Sequence, residues 1–147
     1  MAARVTAHGL CALAVLAFTL VAFHAQASTM TFHTDLTAAS QVPPADSKGS
    51  GSADVAYDSA TKMLTWTIVY SGLTGDATAA HFHGPAKPGK NASPVVPLTG
   101  SLTSPIKGSA TLTDDQTKDL LAGLWYINIH TAANPGGEIR GQVTQVK

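Results

Sequence analysis

Cysteine is scarce in this chain, and an excess of charge of one sign is missing. Its 147 residues include one cysteine, Cys11, and nine basic residues balance nine acidic ones. A single cysteine cannot form a disulfide within the chain, so core packing, or packing together with a metal, must stabilise the fold. The balanced charge argues against a nucleic-acid-binding protein and against a basic patch that binds membranes. The length fits one small domain.

A hydrophobic run long enough to span a membrane is also absent. The longest apolar run, residues 10–23, is shorter than the roughly 20 residues that a spanning helix needs. Arg4 precedes this run, and Ala-Gln-Ala at 25–27 follows it. This pattern predicts a signal peptide over residues 1–27, with the mature domain at residues 28–147. We therefore expect a periplasmic or secreted protein that has no membrane span once its leader is removed.

Long helical periodicity is scarce in residues 28–147, where alternating apolar and polar residues recur between clusters of turn-forming residues. In one such segment Leu64, Trp66, Ile68 and Tyr70 fall on the same face, which predicts a strand with Trp66 in the core. The pattern favours an all-β sandwich or barrel. Strands are predicted near residues 32–36, 53–57, 63–70, 77–83, 95–98, 108–112, 124–131 and 139–146.

One short helix is predicted among the strands. Thr113 precedes Asp-Asp-Gln at 114–116, a capping-box pattern that places acidic residues at the positive end of the helix dipole. Gly123 is suited to the left-handed conformation that often follows a helix. Leu120 and Leu121 are expected to anchor the helix to the sheet.

Histidine is the residue type that suggests chemistry. His81 and His83 are two residues apart, so on a strand both imidazoles point to one face, about 6.6 Å apart. His130 ends another predicted strand and can complete a three-histidine metal site. The alternative is that these imidazoles only make hydrogen bonds within the sheet. His33 is out of step with its apolar neighbours and is expected to face solvent, which makes it a poor candidate for a fourth ligand.

The ligand types narrow the choice of metal. Imidazoles without thiolates suit copper, zinc or nickel, and the stability order of divalent ions favours Cu(II). Copper is therefore the expected cofactor, with zinc as the alternative.

Glu138 and Arg140 form the second notable group, at the two ends of a Glu-Ile-Arg segment. In one interpretation they form a structural pair that fixes a loop, with Arg140 donating to backbone carbonyls. In the other, Glu138 orients a ligand histidine, and Arg140 draws a small anion toward an open metal position.

Five segments combine glycine, proline, histidine or aromatic residues in distinctive motifs. They are Gln-Val-Pro-Pro at 41–44, Tyr-Ser-Gly-Leu-Thr-Gly at 70–75, Ala-Ala-His-Phe-His-Gly-Pro-Ala at 79–86, Gly-Leu-Trp-Tyr-Ile-Asn-Ile-His-Thr at 123–131 and Asn-Pro-Gly-Gly-Glu-Ile-Arg-Gly-Gln at 134–142. Together these segments resemble the CHRD domain, a family named after chordin. The resemblance covers nearly all of residues 28–147. It implies an antiparallel β-sandwich with immunoglobulin-like or Greek-key connections, whereas the biochemical role of this family is poorly defined.

A weaker resemblance is to copper-zinc superoxide dismutases, which also place a His-x-His pair on a strand. It implies that His81, His83 and His130 are copper ligands, that Arg140 is a catalytic anion guide and that superoxide is the substrate. The zinc-loop residues and the disulfide of those enzymes are absent here, so a copper-only site is implied.

Two functions from different classes remain open. The first is an exported copper-binding protein with superoxide dismutase-like activity or a role in copper handling. The second is a metal-free adhesion or protein-binding module, whose contact surface would be Trp125 and Tyr126 or the loop at residues 87–97. A hydrolase is disfavoured because no serine, histidine and acid set is evident. The sequence does not indicate an oligomeric state.

Overall fold

The computed structural model describes residues 28–147, so the predicted signal peptide lies outside the described residues. The described part contains nine strands, one 3₁₀ turn and one short α-helix. The strands are β1 (Thr29–Thr37), β2 (Ser50–Asp58), β3 (Met63–Ser71), β4 (Ala77–His83), β5 (Pro94–Pro97), β6 (Ile106–Thr111), β7 (Tyr126–Thr131), β8 (Ile139–Gln142) and β9 (Thr144–Gln145). The 3₁₀ turn is Ala38–Ser40, and helix α1 is Asp114–Leu121.

All the strands belong to one antiparallel sheet that curls into a nearly closed, barrel-like wall. Its order is β5-β4-β7-β8-β1-β2-β3-β6, and β9 pairs with β1. The prediction of an antiparallel all-β fold with one short helix is confirmed. The finer description, a sandwich with immunoglobulin-like or Greek-key connections, stays a prediction.

Buried and exposed side chains alternate along β3, which explains how this strand contributes to the core. Leu64, Trp66 and Ile68 of β3 are buried, whereas the residues between them are exposed. Trp66 therefore lies in the core, as predicted. Its ring meets the ring of Phe82 edge to face at 5.4 Å between centroids, and such aromatic pairs add stability beyond the area they bury. Phe82 links β4, the strand that carries two of the histidines, to the core.

Helix α1 begins and ends where its local sequence predicts. The Thr113 hydroxyl accepts from the Gln116 amide, and the Gln116 side chain accepts from the Thr113 amide, which completes the capping box. Gly123 has a positive φ of 70°, as expected after a helix C-terminus. Leu120 is fully buried, but Leu121 is 42% exposed. The prediction that Leu121 anchors the helix is wrong, because the next residue along a helix is rotated by about 100° away from the packed face.

The last predicted strand, residues 139–146, is divided in two. β8 lies between β7 and β1 and pairs with both, whereas β9 pairs with β1 alone. Val143 lies between β8 and β9, fully buried, and its amide donates to the carbonyl of Trp125. The alternation of residue types does not reveal where the pairing with β7 ends. No helix within residues 28–147 is long and apolar enough to cross a membrane.

Candidate metal centre

The sheet brings His81, His83 and His130 together on its outer face. His81 and His83 flank Phe82 on β4, and the Phe82 ring points into the core. β7 pairs with β4, and its His130 lies opposite Ala79. His130 is therefore a diagonal neighbour of His81, within reach of its side chain.

The three imidazoles form a compact cluster. The His81 ring centroid lies 5.4 Å from that of His83 and 5.2 Å from that of His130. One candidate ligand nitrogen from each of the three residues lies within 4.8 Å of the other two. Nitrogens bound to one ion at about 2.0–2.1 Å are at most about 4.2 Å apart, so side-chain shifts of about 1 Å would allow all three to reach the same ion.

Backbone carbonyls set the tautomers of two of these histidines. His83 Nδ1 lies 2.9 Å from the Ala92 carbonyl oxygen, and His130 Nδ1 lies 2.9 Å from that of Pro135. A carbonyl only accepts, so each Nδ1 carries the proton and each Nε2 presents a lone pair. The lone pair of His130 Nε2 accepts a hydrogen bond from His81 Nδ1 at 3.3 Å, which a bound metal would have to displace. His83 Nε2 is buried and has no hydrogen-bond partner among the described residues. Metal-bound histidines commonly donate their second N–H in this way, so both tautomers already suit a metal.

The surroundings of His81 and His83 favour the neutral form of both imidazoles. Burial lowers the pKa of His83, the hydrogen bond to Ala92 opposes this, and His81, His130 and Arg140 lower the pKa further. Burial is also the main cause of the lowered pKa of His81. No carboxylate belongs to the cluster within the described residues. Since a metal competes with protons for the same lone pairs, lowered pKa values make these nitrogens available at neutral pH.

A stack of side chains connects Arg140 to the cluster. The Tyr126 ring stacks on His83 at 4.8 Å between centroids and 7° between planes. The Arg140 guanidinium carbon lies 3.5 Å from the centroid of the Tyr126 ring. Because the guanidinium covers one face of that ring, His83 must occupy the other. Arg140 thus lies behind Tyr126 as seen from His83, and its role as an anion guide stays a prediction.

Arg140 is also tied to the loop at residues 84–93. Its Nη1 donates to Asn91 Oδ1 at 2.8 Å and its Nη2 to the Lys90 carbonyl at 2.6 Å. Arg140 therefore donates to a backbone carbonyl, as the structural interpretation predicted, but the loop that it fixes is residues 84–93 and not the segment that contains Glu138 and Arg140.

A pair of amides fills the space beside the cluster. Asn128 of β7 lies opposite His81 on one side and Arg140 on the other. Gln41 Nε2 donates to Asn128 Oδ1 at 3.1 Å, and Asn128 Nδ2 donates back to Gln41 Oε1 at 3.4 Å. Gly137 packs on this pair with φ at 118°, and a Cβ atom there would overlap both amides. Only glycine fits this position.

Glu138 organises a different set of contacts. Its Oε1 accepts from the Ser47 hydroxyl and the Thr74 amide, and its Oε2 accepts from the hydroxyls of Thr74 and Thr131 and from Asn134 Nδ2. Burial alone would raise the pKa of Glu138, but the hydrogen bonds hold it at about 2, below the ordinary 4.5. None of these bonds goes to a histidine.

Two expectations about Glu138 are therefore wrong. The carbonyls of Ala92 and Pro135, and not Glu138, hold the second nitrogen of His83 and His130. In the described part of the chain Glu138 and Arg140 also do not form an ion pair, and each of them fixes a separate loop.

His33 lies outside the cluster. Its Nδ1 is 2.8 Å from an Asp54 carboxylate oxygen, and 44% of its side chain is exposed. Its raised pKa comes mainly from this hydrogen bond. The prediction that His33 faces solvent is confirmed, and residues 28–147 offer no fourth histidine ligand.

The sequence reasoning missed Tyr126 and Gln41 as neighbours of the site. Tyr126, Asn128 and His130 alternate on one face of β7, which was visible in the sequence. The contacts with His83 and Gln41 depend on strand register and on loop packing, for which the sequence has no local signal.

The comparisons with known proteins agree with the resemblance found in the sequence. The family model of the CHRD domain matches residues 32–143. Neither the search of curated proteins nor the search of solved structures found a match. Because the family match covers most of the chain, including all the histidines of the cluster, this protein belongs to the CHRD domain family.

Proposed function

We propose that this CHRD domain binds one transition-metal ion, copper in preference to zinc, through His81, His83 and His130. The observation that carries the proposal is the buried, unpartnered Nε2 of His83 in a cluster of three imidazoles. Leaving such a nitrogen unbonded costs free energy, about 1–3 kcal/mol, which a metal ion would recover. The neutral, sulfur-free ligand set favours copper among the common divalent ions.

The finer proposal is superoxide dismutation or copper handling in the periplasm or outside the cell. Copper cycles between two oxidation states, so it can oxidise one superoxide to oxygen and reduce a second, with two protons, to hydrogen peroxide. Three histidines leave at least one coordination position open, as a catalytic site requires. Arg140 places a positive charge behind Tyr126, where it would draw an anion toward the cluster.

Metal loading tests the first proposal. Purified protein is incubated with copper, freed of unbound metal and analysed for copper content, alongside His81→Ala, His83→Ala and His130→Ala. We expect one copper per chain in the original protein and nearly none in each variant. His33→Ala is the matched control, since this histidine lies outside the cluster, and it should keep its copper. Equal loading of all four variants would refute the site.

Dismutation is tested separately, on the copper-loaded protein, against the metal-free protein and an equal amount of free copper. We expect a rate above that of free copper that falls as salt rises from about 0.01 to 0.1 M, because the Debye length shrinks from about 30 to 10 Å. Arg140→Gln should keep its copper and show a slower, less salt-dependent rate. A rate no higher than that of free copper would exclude superoxide dismutation and leave copper handling as the proposed role.

A metal-free binding module is the second candidate function, and the structure reduces the surfaces that could contact a partner. Trp125 and Tyr126 are 0% and 2% exposed, so they cannot provide the expected partner contact. The loop at residues 87–97 has mostly exposed side chains and is the remaining surface for that function.

A further inference from the structure

A second possible binding site lies beside Arg140, on the side away from the histidines. A cavity of about 360 Å³ opens there, lined by residues 39–42, by Pro88 and Gly89, and by Arg140 and Gln142. Its volume falls at the lower end of the range for small-molecule sites. Arg140 is the only charged side chain that lines it in the described part of the chain.

The charge of Arg140 is not compensated by the protein. The residue is 2% exposed, and no carboxylate among residues 28–147 forms an ion pair with it. A guanidinium has five N–H donors, and Arg140 uses only two of them, toward Lys90 and Asn91. Burial consequently lowers the pKa of Arg140. A buried cation with unused donors is costly unless an anion meets it.

Two lysines are neighbours in the chain of residues that line the cavity. Lys87 and Lys90 flank Pro88 and Gly89 in the chain, and all four residues are exposed. None of the residues that line the cavity is acidic. This arrangement attracts anions and disfavours cations.

We propose that this cavity binds a small molecule or a chain terminus through one carboxylate group, which accepts hydrogen bonds from the unused N–H groups of Arg140. A planar carboxylate matches the planar fork of a guanidinium. The Nε–H has no acceptor in the described part of the protein, and each Nη has one further N–H. The exposed Lys87 and Lys90 add attraction at the rim.

The proposed site is separate from the metal centre and does not depend on it. Tyr126 lies between Arg140 and His83. Gln41 lines the cavity while its amide is bonded to Asn128. A carboxylate on Arg140 would therefore not be a metal ligand, and its binding can be measured in metal-free protein.

The test is a titration of metal-free, ¹⁵N-labelled protein, in which the NMR signals of the Val42 and Gly89 amides report binding. The probes are acetate for a free acid, N-acetylglycine for the C-terminus of a chain, and inorganic phosphate, at constant ionic strength. We expect saturable shifts with one or both carboxylates and weaker binding of phosphate. Chloride alone should produce no saturable shift. Tighter binding of acetate would identify the ligand as a free acid, and tighter binding of N-acetylglycine would identify it as the C-terminus of a chain.

Two pairs of variants decide the outcome. Ala39→Glu places a tethered carboxylate on an exposed wall of the cavity and should weaken binding at least about tenfold, through competition for charge-assisted hydrogen bonds. Ala39→Gln adds a side chain of the same size without the charge, so it should bind at least about tenfold more tightly than Ala39→Glu. Arg140→Gln should abolish binding, and Lys107→Gln on β6, at the other edge of the sheet, should not.

The absence of saturable shifts, tighter binding of phosphate, or equal affinities of the two Ala39 variants would each overturn the proposal. If Arg140→Gln does not fold, the Ala39 pair still decides it, because Ala39 is exposed and no described side-chain hydrogen bond depends on it.

Discussion

Replacing Glu138 by glutamine should make the protein less stable and remove most of its sensitivity to acid. Five hydrogen bonds reach the two carboxylate oxygens, and one of their donors, the backbone amide of Thr74, cannot reverse direction. Because this amide faces Oε1, the oxygen of a glutamine must stay there, and its NH₂ group replaces Oε2. The hydroxyls of Thr74 and Thr131 and the side chain of Asn134 would then have to turn, and the charge that strengthens all five hydrogen bonds would be lost.

The pKa of Glu138 gives the size of its contribution to the free energy of unfolding and the direction in which this contribution changes with pH. It is about 2 in the folded protein against an ordinary 4.5, and each unit corresponds to about 1.4 kcal/mol, so the ionised carboxylate contributes about 3 kcal/mol. The unfolded chain takes up the proton at a higher pH than the folded one, so protonation favours unfolding. The contribution is therefore complete above about pH 4.5 and is lost as the pH falls toward 2.

The free energy of unfolding is measured by urea unfolding at several pH values between 2 and 7, monitored by the fluorescence of the buried Trp66 and Trp125. We expect Glu138→Gln to be destabilised by about 3 kcal/mol at pH 7 and by much less near pH 2. Asp46→Asn is the control, because it removes the same charge from an exposed residue and should change little. The reasoning is refuted if Glu138→Gln keeps the acid dependence of the original protein.

Two further predictions concern the core and the metal. Trp66→Ala should lower the free energy of unfolding by about 3–5 kcal/mol, because the ring is buried against Phe82; thermal melts measure it, and a change within about 0.5 kcal/mol would contradict the packing described. Burial lowers the pKa of His81 and His83, so copper affinity, measured by competition titration, should stay nearly constant down to about pH 6.5 and fall below it. A fall that begins well above neutral pH would contradict this.

The elements that could be predicted from the sequence are those with local causes. The alternation in β3 depends on the two-residue period of a strand, and the cap of α1 depends on Thr113 and Gln116, which are three residues apart. The common face of His81 and His83 follows from the same strand period. In each case residues close in the chain determine the geometry.

The contacts that could not be predicted join distant segments. The position of His130 beside His81 depends on the register between β4 and β7, which shifts between Ala77 and Ala79. A shift of one residue there would move His130 to a different neighbour, and the sequence does not reveal it. The stacking of Tyr126 on His83 and the end of the pairing with β7 at Val143 likewise depend on contacts between distant segments.

The position of Arg140 explains how a buried charge supports the site without touching a histidine. Arg140 fixes the loop at residues 84–93 through Lys90 and Asn91. The next residue, Ala92, supplies the carbonyl that holds the Nδ1 proton of His83. Loss of Arg140 would loosen this loop while the three imidazoles stay in place, so we expect Arg140→Gln to bind copper somewhat more weakly without losing it at saturating copper.

Glu138 holds the loop beside His130, as Arg140 holds the loop beside His83. It holds Asn134 through Oε2, and the next residue, Pro135, supplies the carbonyl that holds the Nδ1 proton of His130. The two charged residues lie two positions apart in the chain, yet they reach different histidines through different loops. A three-residue segment at the start of β8 can in this way fix two imidazole tautomers, since a loop carbonyl keeps its direction only while the loop itself is held.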